Sequence, residues 1–379
     1  METLKAGKAF KTILICMFFL LFLSFSSEAA EVDDGLAECA KFKDDAVKRL
    51  ECFDNLAKQK TAVKDVSPPG AVAESVPKES STAESVMSRQ WELEGKKAKS
   101  AFFALKPYRP NYFLPVAYNS SPNDNTPLDM DPEAKAQHNE AKFQLSFKIN
   151  VWRDLLKDTL KYLFKKDIEI DIWVAYTQLS FWQLYNSAFS SPFRDTNYEP
   201  EMLINWRTKY SILDDFKLQF VNVGFNHQSN GRSLPLSRSW NRIVANAGFE
   251  KGNFNLLLKT WYRLPEENYN DDNPDITRYM GYGEIWGIYY WKENRFAIML
   301  RNNLRQNNLG AVQLDWSIPM SLIVKKFYDW GVPLSLETCD KLKDFSFYFQ
   351  YFNGYGESLL DYNTSINRFS AGMMLVDWN

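Results

Sequence analysis

"AKFQLSFKINVW", residues 141–152, alternates without a break: Phe143, Leu145, Phe147, Ile149 and Val151 fall on one side, Gln144, Ser146, Lys148 and Asn150 on the other. Successive side chains of a β-strand point to opposite faces, so the stretch reads as a strand with one apolar and one polar face. The same period returns at 168–184, 197–210, 216–229, 238–250, 253–264, 279–292, 294–305, 310–322, 345–356 and 367–378, with a shorter run at 112–117, which makes twelve candidate strands. Composition agrees: 45% of the residues are hydrophobic and 16% aromatic, yet mean hydropathy is −0.39, so apolar residues are interleaved rather than massed.

Strands of ~10 residues joined by connections averaging ~12 fit about twelve times into the roughly 280 residues from Ala101 onward. A soluble β-sandwich also alternates, but it needs a polar outer surface, and here the long strands and abundant aromatics suit lipid outside and a polar lumen within. The expectation is all-β: a twelve-stranded antiparallel transmembrane β-barrel over 101–379, closed because lipid cannot solvate an open sheet edge. The ending "MMLVDWN" places Trp378 one residue short of the end, where outer-membrane barrels commonly finish on an aromatic.

Upstream, Lys5, Lys8 and Lys11 precede an apolar run from Ile13 to Phe25, and Ser27, Ala29 and Ala30 follow. That order is the layout of a cleaved secretory signal over 1–30, and the run is too short for the ~20 residues of a spanning helix. Cys16 would leave with it. Of the other cysteines, Cys39 and Cys52 flank a charged, helix-prone segment (31–60) and are expected to pair in an oxidising compartment, leaving Cys339 free. Residues 61–100, rich in Ser, Ala, Pro, Val and Glu without a sustained period, read as a flexible linker. A net charge of −2 argues against nucleic acid as a partner.

The chain has two histidines. His138 sits in a polar stretch without a histidine or cysteine neighbour and reads as solvated. His227 lies in "NHQSNGRSLPLSRSWNR", residues 226–242. Stepping by two from Val221 through Val223 and Phe225 reaches His227 and Ser229, and on the next strand Asn241 shares a face with Ile243, Ala245, Ala247 and Phe249. All three polar groups therefore face lipid, at the end of the fifth strand and the start of the sixth. In an even-stranded barrel with both termini in the periplasm, that is the outer rim. A serine hydroxyl, an imidazole to take its proton and an amide to hold the imidazole tautomer follow the logic of a nucleophilic triad. Gly231 would let a backbone N–H approach an oxyanion. A two-residue spacing is short, however, and by itself it favours a hydrogen-bonded rim hairpin over catalysis.

The longer stretch resembles the active-site segment of the outer membrane phospholipase A family. The resemblance extends through "FWQLYNSAFSSPFRDTNYEP" (181–200), "DDNPDITRYMGYGEIWG" (271–287) and "FNGYGESLLDYN" (352–363), and covers roughly 112–379. It implies a twelve-stranded outer-membrane barrel with its catalytic residues on the exterior, facing the outer leaflet. The implied activity is calcium-dependent hydrolysis of phospholipid acyl esters (A1, A2 and lysophospholipase) by a homodimer. Residue by residue, it implies Ser229 as nucleophile, His227 as base, Asn241 as its orienting partner and the Gly231 amide at the oxyanion. The catalytic Ca2+ would be held by the Arg232 carbonyl, the Ser237 hydroxyl and the Ser190 carbonyl of the partner subunit. Gln178, in "AYTQLSFWQL", matches a glutamine bonded across the dimer interface. A second calcium site in the family uses two aspartates; Asp272 matches one, and Leu234 stands at the other. The remaining carboxylates of "EENYNDDNPD" (266–275) read as a hydrophilic extracellular loop. Two alternatives remain, a non-catalytic pore or structural barrel and a barrel protease.

Overall fold

The computed structural model describes residues 86–93 and 103–376, apart from 124–134, 214, 268–270, 331–341 and 343. The chain divides into two compact units, Met1–Ser80 and Ser81–Asn379, and every described residue belongs to the second. The expected signal peptide, the 31–60 segment with Cys39 and Cys52, Cys339 and Trp378 lie outside the described residues.

Twelve long strands form the body: β1 (Asn111–Asn119), β2 (Asn139–Trp152), β3 (Glu169–Trp182), β4 (Phe193–Leu213), β5 (Phe216–Ser229), β6 (Ser239–Lys251), β7 (Phe254–Arg263), β8 (Gly283–Trp291), β9 (Asn294–Asn302), β10 (Gly310–Pro319), β11 (Ser346–Gly354) and β12 (Ile366–Val376). Each pairs antiparallel with the next, and β12 returns to β1, with Phe369 opposite Tyr118, so the sheet closes on itself. A two-residue arm, Lys106–Pro107, also pairs with β2. Among the described residues no helix is long and apolar enough to cross a membrane.

The alternation seen in the sequence becomes an inside-out protein. Along β9, Phe296, Ile298 and Leu300 are exposed while Arg295, Ala297, Met299 and Arg301 are buried. Charges can sit inside because they are paired, as burial requires. Arg368 bonds Glu357 (2.8 Å) and Glu140 (2.7 Å), Lys142 bonds Glu357 (2.8 Å), and Arg109 joins Glu199 and Glu201 (2.7 Å each). Trp152, Trp206, Tyr210 and Trp291 are exposed toward the end with the two-residue turns 252–253 and 292–293, and Tyr118, Tyr185, Tyr262 and Tyr282 toward the end that carries the 230–238 loop. This is the placement expected of interfacial aromatics.

The segment read as linker is not unstructured throughout. Val86–Trp91 forms a short helix, α1, whose Trp91 is 4% exposed and packs on Phe220 (ring centroids 4.7 Å apart) and Trp173 (5.9 Å). Lys148 Nζ lies 3.2 Å from the Trp91 ring centroid and makes no hydrogen bond among the described residues. The aromatic face is its compensation. Glu92, just after the helix, bonds Lys106 and Arg153. Composition averaged over the linker hides Met87 and Trp91, four apart and so on one helical face.

Strand ends also shift. β8 begins at Gly283 rather than 279 because Ile276–Met280 forms a helical turn, α2. β10 stops at Pro319 rather than 322; proline has no N–H for the ladder, and a helix, α3 (Met320–Asp329), follows it. β4 is longer than the alternation over 197–210 suggested. A further helix over Lys157–Phe164, between β2 and β3, had no counterpart in the sequence reading.

Ile298 lies at the centre of an outward row, where a charge would meet hydrocarbon. Ile298→Arg is expected to destabilise the barrel by about 2–4 kcal/mol, read as a lowered denaturant midpoint in lipid vesicles. An unchanged midpoint would mean that this face does not meet lipid.

Candidate active site

Strands β5 and β6 are joined by residues 230–238 and run antiparallel with His227 opposite Asn241 and Ser229 opposite Ser239. Asn222 and Asn226 on β5, and Trp240 and Arg242 on β6, are buried toward the lumen. By the pleat, their neighbours His227, Ser229 and Asn241 lie on the outer face, in line with exposed Val223 and Ile243.

His227 Nδ1 is 2.9 Å from Asn241 Oδ1. An amide oxygen only accepts, so Nδ1 carries the ring proton and Nε2 keeps a free lone pair, the tautomer a general base needs. The other end of the amide donates to Glu266: Asn241 Nδ2 to Oε1, 3.1 Å. Burial pushes the Glu266 carboxyl above its ordinary range, against the lowering pull of this bond and of Arg263. The Ser229 hydroxyl oxygen accepts the Gly231 N–H at 3.0 Å, and among the described residues it makes no bond to the imidazole. Gly231 sits at φ +64°, and a Cβ there would lie 3.2 Å from Tyr198 Cε2, so the left-handed turn that aims its amide at Ser229 needs glycine.

The connecting loop is organised by Asn230, 4% exposed, which had not stood out in the sequence. Its side chain donates to the Leu236 carbonyl (2.8 Å) and accepts the N–H groups of Arg238 (2.9 Å) and Arg232 (3.3 Å). Fully buried Asn273 accepts the Ser239 N–H (2.9 Å) and ties the loop to the β7–β8 connection. The signal for both was the clustering of Asn and Ser, residues whose short side chains close turns.

The remaining expected residues divide between two places. Arg232 and Ser237 share the 230–238 loop, and the Ser237 hydroxyl donates to Asp272, so the residues assigned to the two expected calcium sites are in contact. Ser190 is exposed in the neighbouring rim connection, at φ +57°, and Arg232 Nη2 reaches the start of β4 just beyond that connection, donating to the Phe193 carbonyl (2.9 Å). Carbonyls, a hydroxyl and one carboxylate are hard oxygen donors of the kind calcium prefers. Among the described residues no three His, Cys, Asp or Glu come together as a metal-holding cluster. Gln178 is on the outer face of β3, opposite Tyr198 on β4, which is itself opposite Ser229 on β5. Gln178 and Ser229 are thus two strand spacings apart, roughly 10 Å.

Two readings of loop residues change. His138, though exposed, is engaged: Nδ1 is 2.7 Å from the Asn119 carbonyl, and the ring stacks on Tyr118. The 266–275 carboxylates are more than a hydrophilic fringe. Besides Glu266 and Asp272, Asp271 bonds Arg263 (2.5 Å) and Asp275 accepts the Tyr362 hydroxyl (2.5 Å).

The sequence profile of the phospholipase A1 family matches residues 87–375. Phospholipase A1 from Klebsiella pneumoniae is 36% identical over 275 residues, 73% of this chain and 83% of the relative. In three dimensions the chain resembles outer membrane phospholipase A from Escherichia coli, with TM-score 0.62 and 32% identity over 78% of this chain and 99% of that one. It also resembles a calcium-bound dimer of the Salmonella typhi outer membrane phospholipase, with TM-score 0.61 and 34% identity over 74% and 96%.

Asn230→Ala removes the side chain that pairs the part-buried N–H groups of Arg232 and Arg238 and the buried Leu236 carbonyl, at about 1–3 kcal/mol for each group left unsatisfied. Hydrolysis is expected to fall by about 10- to 100-fold, as loosening of a positioning loop does, while heat-modifiable electrophoretic migration still reports a folded barrel. Undiminished turnover would remove Asn230 from the site's support.

Proposed function

The chain belongs to the phospholipase A1 family and is an outer-membrane enzyme, and from that premise we propose that it hydrolyses phospholipid acyl esters through Ser229, His227 and Asn241 on the barrel's outer wall. The observation that carries this reading is the His227–Asn241 bond on a lipid-facing surface, with Ser229 one pleat repeat away. A soluble esterase would have to draw its substrate out of the bilayer. On this wall an acyl ester reaches the nucleophile by lateral diffusion.

In the proposed reaction the Ser229 hydroxyl turns from the Gly231 amide toward His227 Nε2. It gives up its proton there as Oγ attacks the ester carbonyl. That turn frees the Gly231 N–H to meet the oxyanion of the tetrahedral intermediate. The imidazolium, its Nδ1–H held by Asn241, protonates the departing glycerol oxygen. A lysophospholipid leaves, with the acyl group esterified to Ser229. Water, deprotonated by the same imidazole, then releases the fatty acid. Both acyl positions and lysophospholipids are within this chemistry, because the scissile ester is the same.

Arg232, Ser237 and the Ser190 carbonyl of the partner subunit supply the oxygen ligands of the proposed calcium site. When bound there, the ion supplies positive charge beside the developing oxyanion. Support for a homodimer comes from the row Gln178, Tyr198, Ser229: a partner docked on the glutamine would border the serine and complete the acyl-chain cleft. In this reading the rim that carries the 230–238 loop faces the outer leaflet, where phospholipid is scarce until the membrane is disturbed. That placement limits activity to damaged surfaces.

Ser229→Ala is expected to lower turnover at least about 10³-fold while the barrel still inserts. A sulfonyl fluoride is expected to label Ser229, and chelation of calcium should suppress both labelling and hydrolysis reversibly. Labelling at another residue, or full hydrolysis by the alanine variant, would refute the triad.

A further inference from the structure

An asparagine is a less decisive partner for a catalytic histidine than an aspartate. Its amide can turn over, presenting either an oxygen or an NH2 with little change of shape. With the oxygen toward His227, the proton is held on Nδ1 and Nε2 is free for Ser229. With the NH2 toward His227, Nδ1 becomes the acceptor, the proton moves to Nε2 and the base is lost. Nothing in the triad itself selects between the two.

The structure assigns that selection to Glu266. Its carboxylate can only accept, and it stands 3.1 Å from Asn241 Nδ2, so the NH2 is drawn outward and Oδ1 is left facing His227 Nδ1 at 2.9 Å. The carboxylate is placed by the backbone. β7 ends at Arg263, and the Leu264 N–H donates to the carbonyl of Asn241 itself (2.8 Å), which sets Glu266 two residues farther along and over the amide. The other charged groups nearby are occupied elsewhere: Arg263 by Asp271 and Asp272 by Ser237. Glu266 also polarises the amide, since an amide whose NH2 donates to an anion has a more basic oxygen. That strengthens the grip on the imidazolium formed during attack. Glu266 lies outside the four segments that carry the family resemblance, so the role is read from this chain's own hydrogen bonds. It is a positioning residue, and it rests on the triad reading above.

The test is a kinetic cycle on the full-length enzyme with calcium and a micellar phospholipid substrate, using Glu266→Ala, Glu266→Gln, Asn241→Ala and the Glu266→Ala/Asn241→Ala pair. Glu266→Ala is expected to lower kcat about tenfold with KM little changed, the scale of one lost hydrogen bond acting in the transition state. Glu266→Gln, whose amide oxygen still accepts the Asn241 N–H, should recover most of that loss. In the Asn241→Ala background, removal of Glu266 should have no further effect, because its action passes through the missing amide. Glu266→Met, which keeps the volume and loses the acceptor, reads the same loss if the alanine variant does not fold. Wild-type kcat without the carboxylate, or an equal loss whether or not Asn241 is present, would overturn the inference. Ser229→Ala that stays active would overturn the triad and this inference with it. An inactive Ser229→Ala beside a fully active Glu266→Ala overturns this inference alone.

Discussion

Hydrocarbon offers no hydrogen bonds, so every backbone N–H and C=O of a spanning segment must find its partner within the protein. In this chain the requirement is met when β12 closes onto β1. Once the sheet is a closed cylinder, its two faces acquire opposite solvents. The pleat assigns each residue to one of them by parity alone, and a register error of one residue would exchange the faces throughout a strand.

Register is therefore where the lumen and the site meet. Beneath the outward His227 and Asn241, Arg242 donates to the side-chain Oδ1 of Asn226 (2.5 and 2.9 Å) and reaches Glu199 (3.0 Å), while Trp240 Nε1 donates to Gln228 (2.8 Å). These inward residues alternate with the outward ones along the same two strands. A polar lumen network that pins β5 against β6 thereby sets the histidine opposite its asparagine on the far side of the wall. Buried charge of this kind adds little to stability in general. Here it gives the register on which the outer face depends.

The rim adds what strands alone cannot. A strand end can present a serine, but the Gly231 amide reaches it only because the following turn is left-handed, and that turn is held by Asn230 and tied to the next connection by Asn273. Glu266 arrives from that same connection. One wall of the barrel thus carries the proposed nucleophile and base, and the loops above it govern their protonation and approach.

The period of two in stretches such as 141–152 was enough to give the strand number, the fold and the outward facing of His227, Ser229 and Asn241, because parity on a pleated strand is a local property that the chain carries in its order. The sequence could not show α1 inside the barrel, since Trp91 finds Phe220 and Lys148 only after far-apart strands have been brought around it. Nor could it show that Glu266, in a run of carboxylates that looked merely soluble, stands against the amide of Asn241, 25 residues away. Alternation is set by neighbours along the chain. The partner of a polar group is set by neighbours in space, and those exist only once the sheet has closed.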